Sequence, residues 1–510
     1  MIISLSVLVI TIIVSGTYAL YKAQLSKNIG VNTTTHGLAY YINYVKGTDI
    51  TAATLNPSTS YEGGASSDIE FWKKDDSYDI YGKIELTVNT IGTNLSNSPA
   101  LKYAVVNNGN VLKEGSLKGT TSGSKVTILK NLYLEQTKQI YTVYVWLDNS
   151  EELGNISNES LSISVDCTAS LQKEPTAADT IISLYTSAAK VTATNNSITY
   201  NTAPSVSLMN DRLGGTTTDL DGGNIRYYGA NPNNYIYFNC SDYSNQTSST
   251  CETWRIIGVF DGKLKLIRGS QIGKYSWDNK NISTGAEDDR GKNDWTTARL
   301  MKLLNPDDYY INDNNDKDSE GNYLGYSLYY NSASGMCFTD EGVNYSACDF
   351  TSTGIKNDET RNMIAETTYN LGGWNDTGVY PNEIYEYERG TTVYTGRPTT
   401  WTGKIALAYP SDYGYAADLN QCKQTLANYD NSTCTSNNWM KAIITDNGSN
   451  HGWLLTPDSS YSFGAWYSHG NVGEYFTGAA RGAVPVLSLS SKLGIESGDG
   501  SSSNPYKLSA

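Results

Sequence analysis

The sequence predicts a mainly β protein with some α, in which a β-sandwich over residues 28–170 precedes a disulfide-stapled α+β domain over residues 179–510. Three observations predict it. Short apolar runs alternate at strand spacing, tyrosines outnumber phenylalanines 40 to 7, and six of the seven cysteines fall into local couples. A chain of 510 residues also exceeds the roughly 250–300 residues at which a single core stops growing, so more than one domain is expected.

In the first domain the alternating runs are residues 84–88 (IELTV), 102–106 (KYAVV), 125–129 (KVTIL), 140–147 (IYTVYVWL) and 161–165 (LSISV). Turn residues separate them. Asn108-Gly109 tolerates the positive φ that a two-residue hairpin needs, and about seven strands of this kind make a sandwich. Residues 171–178 (LQKEPTAA) form a polar, Pro-containing linker, after which Asp179 is expected to cap the helix that begins TIISLYTSAAK. Further on, residues 253–268 (TWRIIGVFDGKLKLIR) predict a hairpin around Asp261-Gly262. Residues 295–304 (WTTARLMKLL) have helical apolar spacing up to Pro306, and residues 361–370 (RNMIAETTYN) predict a second short helix ended by Gly372 and Gly373.

The start of the chain and its cysteines set the compartment. Residues 2–21 are uncharged and mostly apolar, and as a helix would span roughly 30 Å, a bilayer core. Residues 1–23 are therefore expected to be a signal peptide, with small residues before a cleavage point after Ala19, or an N-terminal membrane anchor. The couples Cys240 with Cys251, Cys337 with Cys348 and Cys422 with Cys434 lack the CxxC spacing of zinc or thioredoxin chemistry. They are expected to be disulfide loops formed in an oxidising space, each stabilising by about 3 kcal/mol. Cys167 is left over as a free, partly buried thiol in a strand, or alternatively as the half of an intermolecular bridge. A net charge of −15 repels phosphate backbones, so nucleic acid is not an expected partner.

Much of the second domain is similar to known sequences. The stretches YIYFNC and CETWRIIGVF, NDWTTARLMKLLNP, RNMIAETTYNLGGW, WTGKIALAYPSDYGYA, HGWLLTP and VPVLSL, in this order over residues 235–508, resemble a family of uncharacterised exported domains of Gram-positive gut bacteria. That family resembles in turn the C-type-lectin-like and sulfatase-modifying-factor superfold, which implies a C-type-lectin-like α+β domain. In the closing strand the family reads G-V-R-P-V-L, whereas Val484 stands here in place of its Arg, so no role of that Arg carries over. The sandwich is similar, more weakly, to camelysin and TasA-like proteins of biofilm fibres.

Candidate chemistry is sparse. His36, His451 and His469 are expected on surface loops. The related superfold's reactive cysteines do not carry over, because the cysteines here are coupled. Asp316, Asp318 and Glu320, followed by Gly321, open an EF-hand-like loop that could take calcium, but its twelfth position is Ser327, where a closing acid is required. A solvated acidic loop is the plainer expectation, and no other cofactor is expected. Tryptophans beside small polar residues are the better binding candidates, since such rings stack on sugars or peptides: Trp277, Trp374, Trp401 and above all Trp466 with its neighbour Tyr467. Trp254 and Trp453, within apolar runs, are expected in the core.

These readings point to a cell-surface adhesin or extracellular filament component, with no catalytic residue assigned. It would bind a host or bacterial surface glycan or protein through the second domain, with self-assembly and membrane attachment through the N-terminal segment as further expectations. A secreted carbohydrate-active enzyme with paired carboxylates and a purely structural fibre subunit are the alternatives.

Overall fold

The computed structural model describes residues 23–24, 38–51, 55, 57–151, 153–156, 159–213, 222–279, 290–312, 317, 321, 324–339 and 345–509. The expected signal or anchor over residues 1–23 falls almost wholly outside the described residues, as do His36 and the calcium candidates Asp316, Asp318 and Glu320. Among the described residues no helix is long and apolar enough to cross a membrane. The chain divides into two compact units, Met1–Glu174 and Pro175–Ala510.

The first unit is a β-sandwich. In one sheet the strand Tyr81–Ile91 pairs antiparallel with Leu161–Ser170 on one side and Lys125–Tyr133 on the other. In the second, Ile42–Val45, Ala65–Lys73, Ile140–Asp148, Leu101–Asn107 and Asn110–Ser116 follow in spatial order. Side chains of a strand alternate between faces, and burial does the same along Ala65–Lys73 and most of Tyr81–Ile91. Ile69, Phe71, Ile84, Leu86, Val143 and Val145 thereby meet in one core. Asn108 and Gly109 both have positive φ, 50° and 77°, the handedness that joins two strands without splaying them. Cys167 lies in this core with its thiol free, and burial pushes its pKa well up, with Asp166 and Glu85 adding to the shift.

The second unit mixes sheets with short helices, as its sequence pattern predicts. Its largest sheet runs from Val191–Asn195 through Ile225–Tyr227, Glu252–Phe260 and Lys263–Arg268 to Val486–Ser488 and Ile405–Ala406. Asp261 and Gly262, both at positive φ, close its central hairpin. A second sheet has the order Lys274–Ser276, Ala480–Gly482, Gly452–Pro457, Gly464–Ser468, Val472–Phe476. Disulfides join Cys240 to Cys251, Cys337 to Cys348 and Cys422 to Cys434, which places this unit's formation in an oxidising environment.

Two local expectations are corrected. The helix over Ala177–Ser187 is capped by Thr176 rather than Asp179. Thr176 Oγ1 accepts from Asp179 N at 3.1 Å while Asp179 Oδ2 accepts from Thr176 N at 2.9 Å, so Asp179 is the reciprocal acid of a capping box. The helix expected over residues 361–370 begins earlier and ends sooner, at Asp358–Met363. Asn357 caps it by accepting from Thr360 N, and Thr367–Asn370 is a strand paired with Thr400–Gly403, where β-branched threonines are at home.

Candidate functional site

Four of the five aromatic residues singled out from the sequence do not offer a free ring. Trp466 is fully buried and donates its indole N–H to the Trp374 carbonyl at 3.2 Å. This corrects its expected place at a loop tip: it lies within the strand Gly464–Ser468, on the face packed into the core. Trp277 is also fully buried, donating to the Leu454 carbonyl. Trp401 packs among Trp295, Tyr309 and Tyr369. Trp374 is half-buried, and one of its faces is covered by Tyr387 at 3.7 Å in parallel stacking.

Tyr467 is different because strand alternation turns it to the opposite side from Trp466. It is half-buried in a cluster built by three strands. The strand Val472–Phe476 pairs beside it and supplies Tyr475 diagonally, at 6.2 Å between ring centroids. Ala480–Gly482 supplies Arg481, whose guanidinium sits 4.0 Å from the Tyr467 ring and 4.3 Å from the Tyr475 ring. His451, just before Gly452–Pro457, lies 5.3 Å from Tyr467 and 4.8 Å from His469. His469 opens the His469-Gly470-Asn471 turn, in which Gly470 has φ 126°, a conformation that favours glycine.

The electrostatics of the cluster follow from these contacts. Arg481 Nη1 contacts His451 Nδ1. A guanidinium can only donate, so Nδ1 is the acceptor and the His451 proton sits on Nε2. Burial lowers the pKa of His451, helped by the charges of Arg481, His469 and Lys274. Arg481 itself is nine-tenths buried, and among the described residues no carboxylate pairs with it. Stacked tyrosines take the place of a counter-ion, each such contact contributing about 0.5–2 kcal/mol. The result is a rigid surface of Tyr467, Tyr475, His451 and His469 held from beneath by one cation; Tyr475, His451 and His469 are exposed. The sequence singled out Tyr467 and both histidines but not their association. Tyr475 and Arg481 carried no signal, since only strand pairing brings them together.

Two other clusters have different chemistry. Inside the unit, Arg226 donates to Asp211 Oδ2 at 2.6 Å and to Asp412 Oδ1 at 2.9 Å, and Lys265 reaches the other Asp412 oxygen. Burial would raise the Asp412 pKa, but Lys265 and Arg226 override it and hold the carboxyl below its usual range. Nearby Glu388, fully buried, is pushed by that burial up to about 7 against the opposing pull of Arg389 and Ser411. This network is closed to solvent, and Arg226 Nη2 is buried in it without a hydrogen-bond partner among the described residues. Near the surface, Glu474 is pushed up to about 8 by partial burial and by the neighbouring carboxyls of Asp458 and Asp376. Like charges nearby make a carboxyl keep its proton to a higher pH.

No protein-family model and no curated protein matches the chain. Among solved structures, an acetyl xylan esterase from the rumen bacterium Butyrivibrio proteoclasticus aligns with 27% of this chain at 11% identity and a TM-score of 0.14. This chain spans 35% of the esterase's length. Crystal structures of two HCR/D point mutants align with 51% and 53% of this chain and 76% and 77% of their own, at 11% and 9% identity and a TM-score of 0.14. Overlaps at that score carry no argument about fold or activity.

Proposed function

We propose that the chain is a cell-surface adhesin or filament-associated protein whose Pro175–Ala510 unit binds a host or bacterial surface glycan or protein on the Tyr467, Tyr475, His451, His469 and Arg481 cluster. One observation carries the reading: aromatic rings are held at a surface by a nearly buried cation that no carboxylate among the described residues neutralises. Such rings lose little conformational freedom on binding, which is why tyrosine is over-represented at recognition surfaces. The disulfides fit an extracellular setting, and residues 1–23 would supply export or anchoring. The reading needs no cofactor, calcium included, and assigns no catalytic residue. It keeps the resemblance to exported gut-bacterial domains as an expectation. Its test is an array of surface glycans and extracellular proteins probed with the full chain in oxidising buffer. Saturable binding to one class supports the reading, and retention of nothing above background opposes it.

A second reading, the structural fibre subunit, rests on the sandwich. Asn110–Ser116 is an edge strand of its sheet with Val111 and Leu112 exposed, and unpaired apolar edges template strand addition. Electron microscopy of the full chain and of Val111→Lys distinguishes it, because filaments built on this edge disappear in the variant.

A further inference from the structure

An open cavity in the second unit shares no lining residue with the aromatic cluster and has its own chemistry. It has a volume of about 430 Å3 and is lined by Tyr235, Glu252, Arg255, Arg268, Ser270 and Ile443, among others. Pockets for small organic ligands occupy about 300–1,000 Å3, so the space is of suitable size.

Its charges do not cancel. Arg268 and Glu252 neutralise each other through two hydrogen bonds of 3.1 Å, from Arg268 Nε to Glu252 Oε2 and from Nη2 to Oε1. Arg255 has no such partner. It is 94% buried, being 6% exposed, and it donates only to neutral acceptors: from Nε to Asn234 Oδ1 at 2.5 Å and from Nη2 to the Pro232 carbonyl at 3.2 Å. Its guanidinium is packed 3.6 Å from the Tyr235 ring and 4.9 Å from that of Trp439. Loss of water lowers the Arg255 pKa to about 10, yet the group stays charged near neutral pH. Among the described residues Nη1 has no acceptor. The two rings offset part of the cost of burying this cation, and Nη1 is left to donate to an anion that enters the cavity.

The remaining wall says what that anion is. Ser270 Oγ accepts from Arg268 Nη1 at 2.8 Å, which leaves its own proton to donate. Tyr235 and Ile443 contribute apolar surface. One uncompensated positive charge, a planar fork, a hydroxyl donor and an aromatic wall suit one carboxylate on a compact, ring-sized body. A divalent phosphate would leave a net negative charge in the cavity.

We propose that this cavity is a binding site for a small organic carboxylate of sugar-acid size, held by the Arg255 guanidinium with Ser270 as a second donor. The site is separate from the aromatic cluster, so it stands or falls independently of the proposed surface function.

Isothermal titration of the full disulfide-bonded chain with glucuronate, acetate and glucose tests the proposal and separates its sources. Glucuronate is expected to bind, and glucose, which shares its ring but lacks the charge, is not. Acetate binding about as well as glucuronate assigns the site to a free carboxylate, whereas much weaker binding of acetate assigns it to a sugar acid. Removing a hydrogen bond to a charged group costs about 10- to 100-fold in affinity, the loss expected for glucuronate in Arg255→Gln. Should that variant fail to fold, Arg255→Lys keeps the charge but not the fork, and Ser270→Ala alters an exposed position; both are expected to weaken glucuronate several-fold. Equal binding of glucose and glucuronate, binding of neither, or unchanged glucuronate affinity in Arg255→Lys and Ser270→Ala overturns the proposal.

Discussion

The two units solve the problem of a stable interior in opposite ways. The sandwich is filled mainly by aliphatic side chains from two sheets, with Phe71, Tyr103 and Tyr141 among them, and has no disulfide among its described residues; its one cysteine there, Cys167, is free. The second unit buries Arg226, Lys265, Asp412 and Glu388 together with several whole tryptophans, connects its strands through many short irregular segments, and carries all three disulfides. Alternation alone suffices where every strand has one wet and one dry face. Where loops carry much of the chain, covalent closure and fixed charge pairs take over. Buried ion pairs are weak sources of net stability, so their contribution here is to fix which loop meets which strand.

Breaking that contrast begins with the disulfides. Reduction should destabilise the second unit by several kcal/mol, since each short loop contributes about 3 kcal/mol, while the sandwich's own transition stays in place. Calorimetry with and without reductant reads both. Equal shifts of the two transitions would show that the staples are not what separates the units. Next in size is Trp466→Ala, which empties a core position and should cost about 3–5 kcal/mol, seen as a fall in melting temperature. An unchanged melting temperature would return Trp466 to the surface.

Acidity sharpens the comparison further. Glu388 loses its proton near 4.5 when unfolded and near 7 when folded, so its stabilising contribution is complete below pH 4.5 and is lost as pH rises to about 7. Glu474 extends the same loss to about pH 8. His451, with its lowered pKa, acts in the opposite sense below about 6.5, but it is exposed and its effect is smaller. In the sandwich, burial of Asp148 is outweighed by Lys102 and Ser150, which hold it down to about 2. Its contribution is therefore present above pH 3.8 and lost as pH falls toward 2. Chemical denaturation between pH 4.5 and 8 should show the second unit weakening, by on the order of 3 kcal/mol from Glu388, and the sandwich nearly flat. In Glu388→Gln most of that slope should vanish. A slope that persists unchanged would place the titrating group elsewhere.

How far the sequence alone reaches also differs between the units. Period-two runs such as residues 84–88 and 140–147 and the Asn108-Gly109 turn are local signals, and each is a strand or hairpin in the structure. Residues 361–370 misled because Thr367 and Thr368 follow a real helical turn, and only their pairing with Thr400–Gly403 makes them a strand. Trp466 misled for a related reason. Its glycine-rich neighbourhood suggests a loop, yet the pairing of Gly464–Ser468 with Val472–Phe476 makes it a strand whose alternate residues face opposite ways. That same pairing brings Tyr475 to Tyr467, and the pairing of Ala480–Gly482 with Gly452–Pro457 brings Arg481, an association with no sequence signature. Arg255 did leave one, as a lone cation inside the apolar run WRIIGVF, but its lack of a carboxylate partner is a three-dimensional fact.

The smallest expected change in stability belongs to the most direct test of the central claim, that the exposed aromatic cluster is the binding surface. Tyr475→Ala removes an exposed ring of the cluster, and truncating a binding hot spot costs about 1–3 kcal/mol. On whichever array component the full chain binds, the variant is expected to lose about 5- to 150-fold in affinity with its melting temperature unchanged. Undiminished binding by a folded Tyr475→Ala variant would contradict the account.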